Sequence, residues 1–320
     1  MKKISGPILA VIVFILSLGL VLTSLEIYYR FIFDSTDSFG LTLTTRRWFD
    51  RYYKFNDLGV RDNIDFAEEP TPGKHRITFI GDSFTAGHGV KDVNQRFVNI
   101  IRREMAPDVE IQVLASNGWD TGQEINSLDS LITKHGYKMG DVVLVYCLND
   151  ISDIAPEWGK ILERILSKKQ KQSFLIEHSY ALNILYYRLK AIMDPDISNY
   201  YGFVKNAYGN SVLLEQQIRR LNQMKQLVES NGGHFMVVTF PFLNALGPKY
   251  PYHDIHKTLE IVWKELGVPP LDLYSIFEKY KPSQVTVNRF DAHPNPFAHQ
   301  LAADAIIKWL KNSPAIVNHT

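Results

Sequence analysis

Arg76-Ile77-Thr78-Phe79-Ile80 runs straight into GDSFTAGHG, Gly81 to Gly89. An apolar run of strand length thus delivers a serine into a turn flanked by small residues and glycines. Gly81 lets the chain turn tightly on leaving a strand. A helix beginning at Ser83 would present free amides and the positive end of its dipole. A serine held there has an exposed hydroxyl, and its own amide is available to a developing oxyanion. Serine is also a common helix N-cap, so the stretch takes its meaning from its partners. Far downstream, Asp291-Ala292-His293-Pro294-Asn295 supplies an acid and a histidine close together. A serine at a strand-to-helix turn with a distant Asp/His pair is the arrangement nucleophilic acyl transfer needs.

Around this stretch, apolar runs of strand length occur at Ile77–Ile80, Ile111–Ala115, Val142–Leu148, Phe235–Phe240 and Leu271–Tyr274. Amphipathic helical patterns fall between them, around 94–105, 121–135, 212–230, 254–266 and 296–311. That βαβα rhythm predicts an α/β fold with a mainly parallel sheet and helices on both faces. Loops beyond the carboxyl ends of the strands are where such a sheet carries its ligands. Residues 151–211 break the rhythm and read as a helical insertion, either a cap or partner surface beside the active face or additional scaffold. Its Lys168/Lys169/Lys171 run reads as a solvated face.

The chain has 320 residues, 45% of them apolar, enough for one sizeable core. Lys and Arg number 35 against 34 Asp and Glu. Without a concentrated basic face the chain does not read as a nucleic-acid binder. Cys147 is the single cysteine, which rules out an intramolecular disulfide or a cysteine-rich metal site. From Ile4 to Leu25 no residue is charged; as a helix this stretch would reach roughly 33 Å, the thickness of a bilayer's hydrocarbon core. Lys2 and Lys3 precede it and Tyr28, Tyr29, Phe31 and Phe33 follow. This reads as a single-pass transmembrane anchor with a cytoplasmic N-terminus and an extracytoplasmic body, periplasmic or at the cell surface. A cleaved signal peptide is the competing reading. The expected organisation is anchor 1–33, juxtamembrane connector 34–74, catalytic domain 75–312 with its insertion at 151–211, and tail 313–320.

Further candidates follow the strand-like runs. Gly118, in SNGWDTGQE, could aim its amide into the site without steric cost, although a glycine there can equally be a plain turn. Asn149, in CLND, could donate to the same oxyanion or form an Asx-turn. Asp82 reads as a loop-organising acceptor, too close in sequence to reach around the histidine, and Asp150 as structural. His293 would carry the proton between Ser83 and the leaving group, and Asp291 would orient its imidazole. His299 would pack on the terminal helix and is the first substitute for His293. His88 would line the pocket. His253 and His256 have only loose metal-like spacing, with no further ligand at a convincing distance. GDSFTAGHG lacks the lysine of a phosphate-binding loop.

Taken in order, GDSF with Ser83, Gly118 in GWDT, Asn149 in CLND, and DAHPN with His293 resemble the blocks of the SGNH/GDSL hydrolase superfamily over roughly residues 75–312. The resemblance implies a three-layer α/β/α, flavodoxin-like fold with a mostly parallel five-stranded sheet. It also implies a serine acyl-enzyme mechanism, an oxyanion hole from Ser83, Gly118 and Asn149, and no metal or organic cofactor. Three departures stand out. Cys147 occupies the place of a usual glycine two residues before the asparagine. Asp291 precedes His293 by two residues where many members space them by three. Ala298 stands where glycine is frequent.

The anchored layout is similar to SGNH-type proteins of bacterial envelope or exopolysaccharide machinery. The expected function is a serine esterase removing small acyl groups, acetyl first, from a carbohydrate or envelope substrate. An O-acyltransferase using the same triad, served by a membrane protein partner, is the alternative. A lipase or lysophospholipase is third, and a non-enzymatic binding module is the reading from another class.

Overall fold

The computed structural model describes residues 5–169 and 172–313. Lys2, Lys3, the side chains of the Lys168/Lys169/Lys171 run and the tail from 314 onward lie outside the described residues.

Five strands form the central sheet: β1 His75–Gly81, β2 Val109–Ala115, β3 Asp141–Cys147, β4 Phe235–Phe240 and β5 Pro270–Asp272. They are all parallel, in the order β2-β1-β3-β4-β5. Helices cover both faces, which is why the strands read as continuous apolar runs. On one face Phe97, at the start of helix Phe97–Glu104, packs against Phe79 and Phe240. Helix Pro296–Lys311 lies beside it, and its His299 stacks on Phe97. On the other face, Gln217 of helix Ser211–Ser230 and Trp263 of helix His253–Glu265 both reach Tyr146. The three-layer α/β/α arrangement is the one expected.

Two details differ from expectation. The last strand ends at Asp272, not Tyr274, because the Asp272 carboxylate accepts from the Tyr274 amide and turns the chain into the short helix Tyr274–Phe277. A separate antiparallel hairpin, β6 Thr286–Asn288 with β7 Asp291–Pro294, carries the DAHPN block.

Residues 34–74, expected as a connector, fold against the body instead. Thr42 caps the helix Leu43–Tyr52 by accepting from the Thr45 amide, and Trp48 on that helix is 1% exposed. Arg61 is buried and donates to the carbonyls of Gly87 and Val90, bracing the loop that follows Ser83.

Residues 151–211 contain helices Pro156–Lys169, Phe174–His178, Tyr180–Met193, Pro195–Ser198 and Phe203–Gly209. The apolar helix Gly6–Ile27 has no buried residue, and Gly6–Ile32 is long and apolar enough to cross a membrane. Its end is tied to the insertion. Glu26 accepts from the Ser179 hydroxyl and from the Tyr180 and Ala181 amides, while Arg30 donates to the His178 carbonyl.

Candidate active site

β1 delivers Ser83 to the first turn of a short helix, Ser83–Ala86, capped by Asp82 through the Phe84 amide. Gly81 is required here by close approach: a Cβ would lie 2.4 Å from Thr85 Oγ1 and 3.0 Å from the Val145 carbonyl. The hairpin brings the other two groups. His293 Nε2 lies 2.8 Å from Ser83 Oγ, and His293 Nδ1 lies 2.5 Å from Asp291 Oδ1. A serine hydroxyl donating to Nε2 leaves the proton on Nδ1, facing the carboxylate. The spacing of two suffices because the His293 amide also donates to Asp291 Oδ1, at 3.1 Å. The three residues predicted as a triad are together.

Two residues outside the predicted triad complete the acid's surroundings. Thr36 Oγ1 donates to Asp291 Oδ2. The His88 ring stacks on His293 with centroids 4.1 Å apart. His88 Nε2 lies 3.2 Å from the Asp37 carbonyl and 3.4 Å from Asp291 Oδ2. A carbonyl only accepts, so Nε2 is the protonated nitrogen of His88. His88 was visible within GDSFTAGHG, but only the folded chain shows what it touches. Thr36, 255 positions from Asp291, gave no signal at all.

The electrostatics follow from burial and these contacts. Burial alone would raise the Asp291 carboxyl, but the charges of His293 and His88 and their hydrogen bonds hold it well below the usual carboxylate range. Burial, with the neighbouring His88 charge, lowers His293 from its ordinary value against the pull of Asp291. The imidazole is therefore neutral at pH 7 and able to accept a proton. Burial raises Asp82 to about 6, against hydrogen bonds from the Phe84 amide, Asn149 and Ser83.

Gly118 and Asn149 leave the carboxyl ends of β2 and β3, the two strands that flank β1. Gly118 has φ +78, a left-handed conformation that favours glycine, with open space where a side chain would be. Asn149 Nδ2 faces Asp82 Oδ2 across 3.4 Å. Asp150 closes the turn behind it: its carboxylate accepts from the Cys147 amide, and its own amide donates to the Cys147 carbonyl. The small buried Cys147 thiol fits this turn, and burial pushes its pKa well up, so it is packing and not a nucleophile.

The other histidines singled out in the sequence, His253, His256 and His299, are scaffold. His299 Nδ1 accepts from the Phe97 amide, and burial drives the ring down to about 3, unfit for proton transfer at neutral pH. His256 contacts Asp272 and Tyr250, and His253 packs on Tyr274. Ligand-type atoms of His88, Asp291 and His293 do lie within 4.8 Å of one another. Yet the Nδ1 proton of His293 and the hydroxyl of Thr36 already occupy the two oxygens of Asp291. That donor set suits proton transfer better than a cation.

No family model and no curated protein matches the chain. Solved structures resemble it at low identity. TesA is 14% identical with a TM-score of 0.46, covering 74% of this chain and 98% of its own. The psychrotrophic esterase EstA from Pseudoalteromonas sp. is 14% identical with a TM-score of 0.44, covering 75% of this chain and 100% of its own. A catalytic mutant of Axe2, an acetylxylan esterase from Geobacillus stearothermophilus, is 12% identical with a TM-score of 0.46, covering 74% and 94%. The chemistry of the present site rests on its own distances.

Proposed function

We propose that this chain is a membrane-anchored serine esterase of the SGNH/GDSL type, hydrolysing small acyl esters, acetyl first, of a carbohydrate or envelope substrate. The continuous line Ser83 Oγ, His293 Nε2, His293 Nδ1, Asp291 Oδ1, at 2.8 and 2.5 Å, carries the proposal. Ser83 Oγ attacks the ester carbonyl while its proton passes to His293 Nε2. Asp291, fixed by Thr36, stabilises the imidazolium that results. The amides of Ser83 and Gly118 and the side chain of Asn149 are the donors assigned to the oxyanion. Collapse breaks the acyl–oxygen bond, and the departing alcohol takes the proton from His293. Water then attacks the acyl-serine, gives its proton to His293, and the acid leaves as Ser83 is restored.

Ser83 is 8% exposed, set back from the surface. The apolar helix Gly6–Ile27 and the lysines before it support a cytoplasmic N-terminus with the catalytic body outside. The test is hydrolysis of p-nitrophenyl acetate and its longer-chain homologues by the full-length chain in detergent, beside Ser83→Ala. Acetate turnover lost in the variant is the expected result. Acyl transfer to an added glycan in preference to water would make the protein a transferase with the same triad. Equal turnover by both proteins would end the serine mechanism.

A further inference from the structure

We propose, resting on the esterase reading, that the cleft beside the triad is a binding site for an anionic carbohydrate, held through Arg188 and Arg289. The cleft has a volume of about 990 Å³ and opens between the 33–44 segment, the insertion helix Tyr180–Met193 and the β6–β7 hairpin. Ser83 and His293 do not line it, but the acid end of the triad borders it. Thr36, which donates to Asp291, is in its wall, and so is Ala292, between Asp291 and His293. A polymer seated there runs past the turn that presents the catalytic histidine.

Charge decides the class of ligand. Among the lining residues Asp37 is the one carboxylate, and Arg188 and Arg289 are the two cations. The Asp37 oxygens are already occupied, accepting from the amides of Phe39, Leu41 and Thr42 and from the hydroxyls of Thr42 and Thr45. The arginines differ. Arg188 lies over the rings of Phe33 and Phe290, at 5.4 and 5.2 Å, and Arg289 over Phe290 at 6.0 Å. Among the described residues neither guanidinium forms an ion pair or hydrogen bond with a carboxylate. A cation–π contact leaves a guanidinium's N–H groups available for bidentate binding of a carboxylate or phosphate.

The rest of the lining mixes apolar side chains such as Leu41, Ile184 and Ile192 with hydroxyls and amides. Tyr200, Tyr252, Asn199 and Asn244 are in the cleft's wall, the two tyrosine rings packed edge-on or tilted among Phe39, Tyr201, Phe242 and Tyr250. Hydroxyls and amides suit the edges of a hydroxylated ring and the apolar side chains suit its faces, while the two arginines favour an acidic sugar over an uncharged acyl tail. The occupant so described is a glycan bearing acidic groups.

The test compares a partially acetylated oligogalacturonate with a neutral, partially acetylated xylo-oligosaccharide, using the full-length chain in detergent. The ratio of kcat/KM on the acidic substrate to that on the neutral one is expected to exceed one at low salt and to fall as salt is raised. In an Arg188→Gln/Arg289→Gln double variant that ratio should drop on the order of tenfold or more. Because it is taken within one preparation, partial misfolding does not mimic the effect. A wild-type ratio at or below one, or a ratio the double variant leaves unchanged, overturns the proposal. Calorimetry of unacetylated oligogalacturonate with the Ser83→Ala protein separates the two readings. Arginine-dependent binding without Ser83-dependent turnover would sink the esterase and leave the site standing. Turnover without arginine-dependent binding would do the reverse.

Discussion

Thr36→Val removes one hydroxyl and little volume, from a residue the sequence places in a connector. In the folded chain that hydroxyl donates to Asp291 Oδ2, and the nearest remaining donor to that oxygen is His88 Nε2 at 3.4 Å, too far to replace it fully. A hydrogen bond to a buried charged group is worth about 1.5–3 kcal/mol, and the urea-unfolding free energy should fall by that amount. Two further effects reach the rate. The carboxylate, held on one side only, turns more freely away from His293 Nδ1. Relieved of a donor, it also bears more of its charge toward His293 and raises the imidazole's affinity for a proton. If about half the bond is felt in the transition state, kcat/KM for p-nitrophenyl acetate falls roughly three- to tenfold, since ~1.4 kcal/mol is a factor of ten. The acid limb of the pH–rate profile moves upward at the same time. Thr36→Ser, which keeps the hydroxyl, should restore most of both. Unchanged stability together with an unchanged limb would refute the role given to Thr36.

Burial, with the charge of His88, depresses His293 below 6.5, and only neutral His293 accepts the Ser83 proton, so the acid limb of kcat/KM should lie below pH 6.5. His88→Gln should shift that limb upward, and a wild-type limb above 6.5 would contradict the electrostatics. Glu124 is fully buried and its carboxyl is raised well above 4.5, by burial first and then by Asp82 and Asp120. Above pH 4.5 the folded chain therefore holds a proton that the unfolded chain has released, and stability falls as pH rises through that window. Glu124→Gln should reduce this slope, leaving the share of Asp82 and Asp150, and give a variant more stable than the parent at pH 8 by urea titration, with the gap closing toward pH 4.5. Gly118→Ala meets no atom, but at φ +78 it strains the backbone by about 1–2 kcal/mol and re-aims the amide. A drop in kcat of tenfold or more with KM little changed is expected; a changed KM with intact kcat would remove Gly118 from the oxyanion site.

The parts of the molecule legible in the sequence are those whose signal is local. Strands buried on both faces must be apolar throughout, so Phe235–Phe240 was readable to the residue. Pro296–Lys311 likewise announces itself by proline at its start and an amphipathic period. Ser83, Asp291 and His293 sit in short strings whose residue types have few other uses together. What stayed hidden depends on contacts between distant segments. Thr36 is an ordinary threonine until the 34–74 segment closes over the hairpin. That segment looked like a connector because its buried anchors, Trp48, Tyr53, Val60 and Arg61, follow no single period. β6 and β7 are three and four residues long, too short to show an alternation. His88 acquires its place only by stacking on a residue that arrives from the other end of the chain.

The most direct measurement is mass spectrometry of the full-length protein after reaction with a fluorophosphonate ester, followed by peptide mapping. One adduct per chain, on the peptide carrying Ser83 and absent from both Ser83→Ala and His293→Ala, is the result the triad requires. An adduct on another residue, or labelling of Ser83 that persists unchanged without His293, would show that these three residues do not work as one catalytic unit.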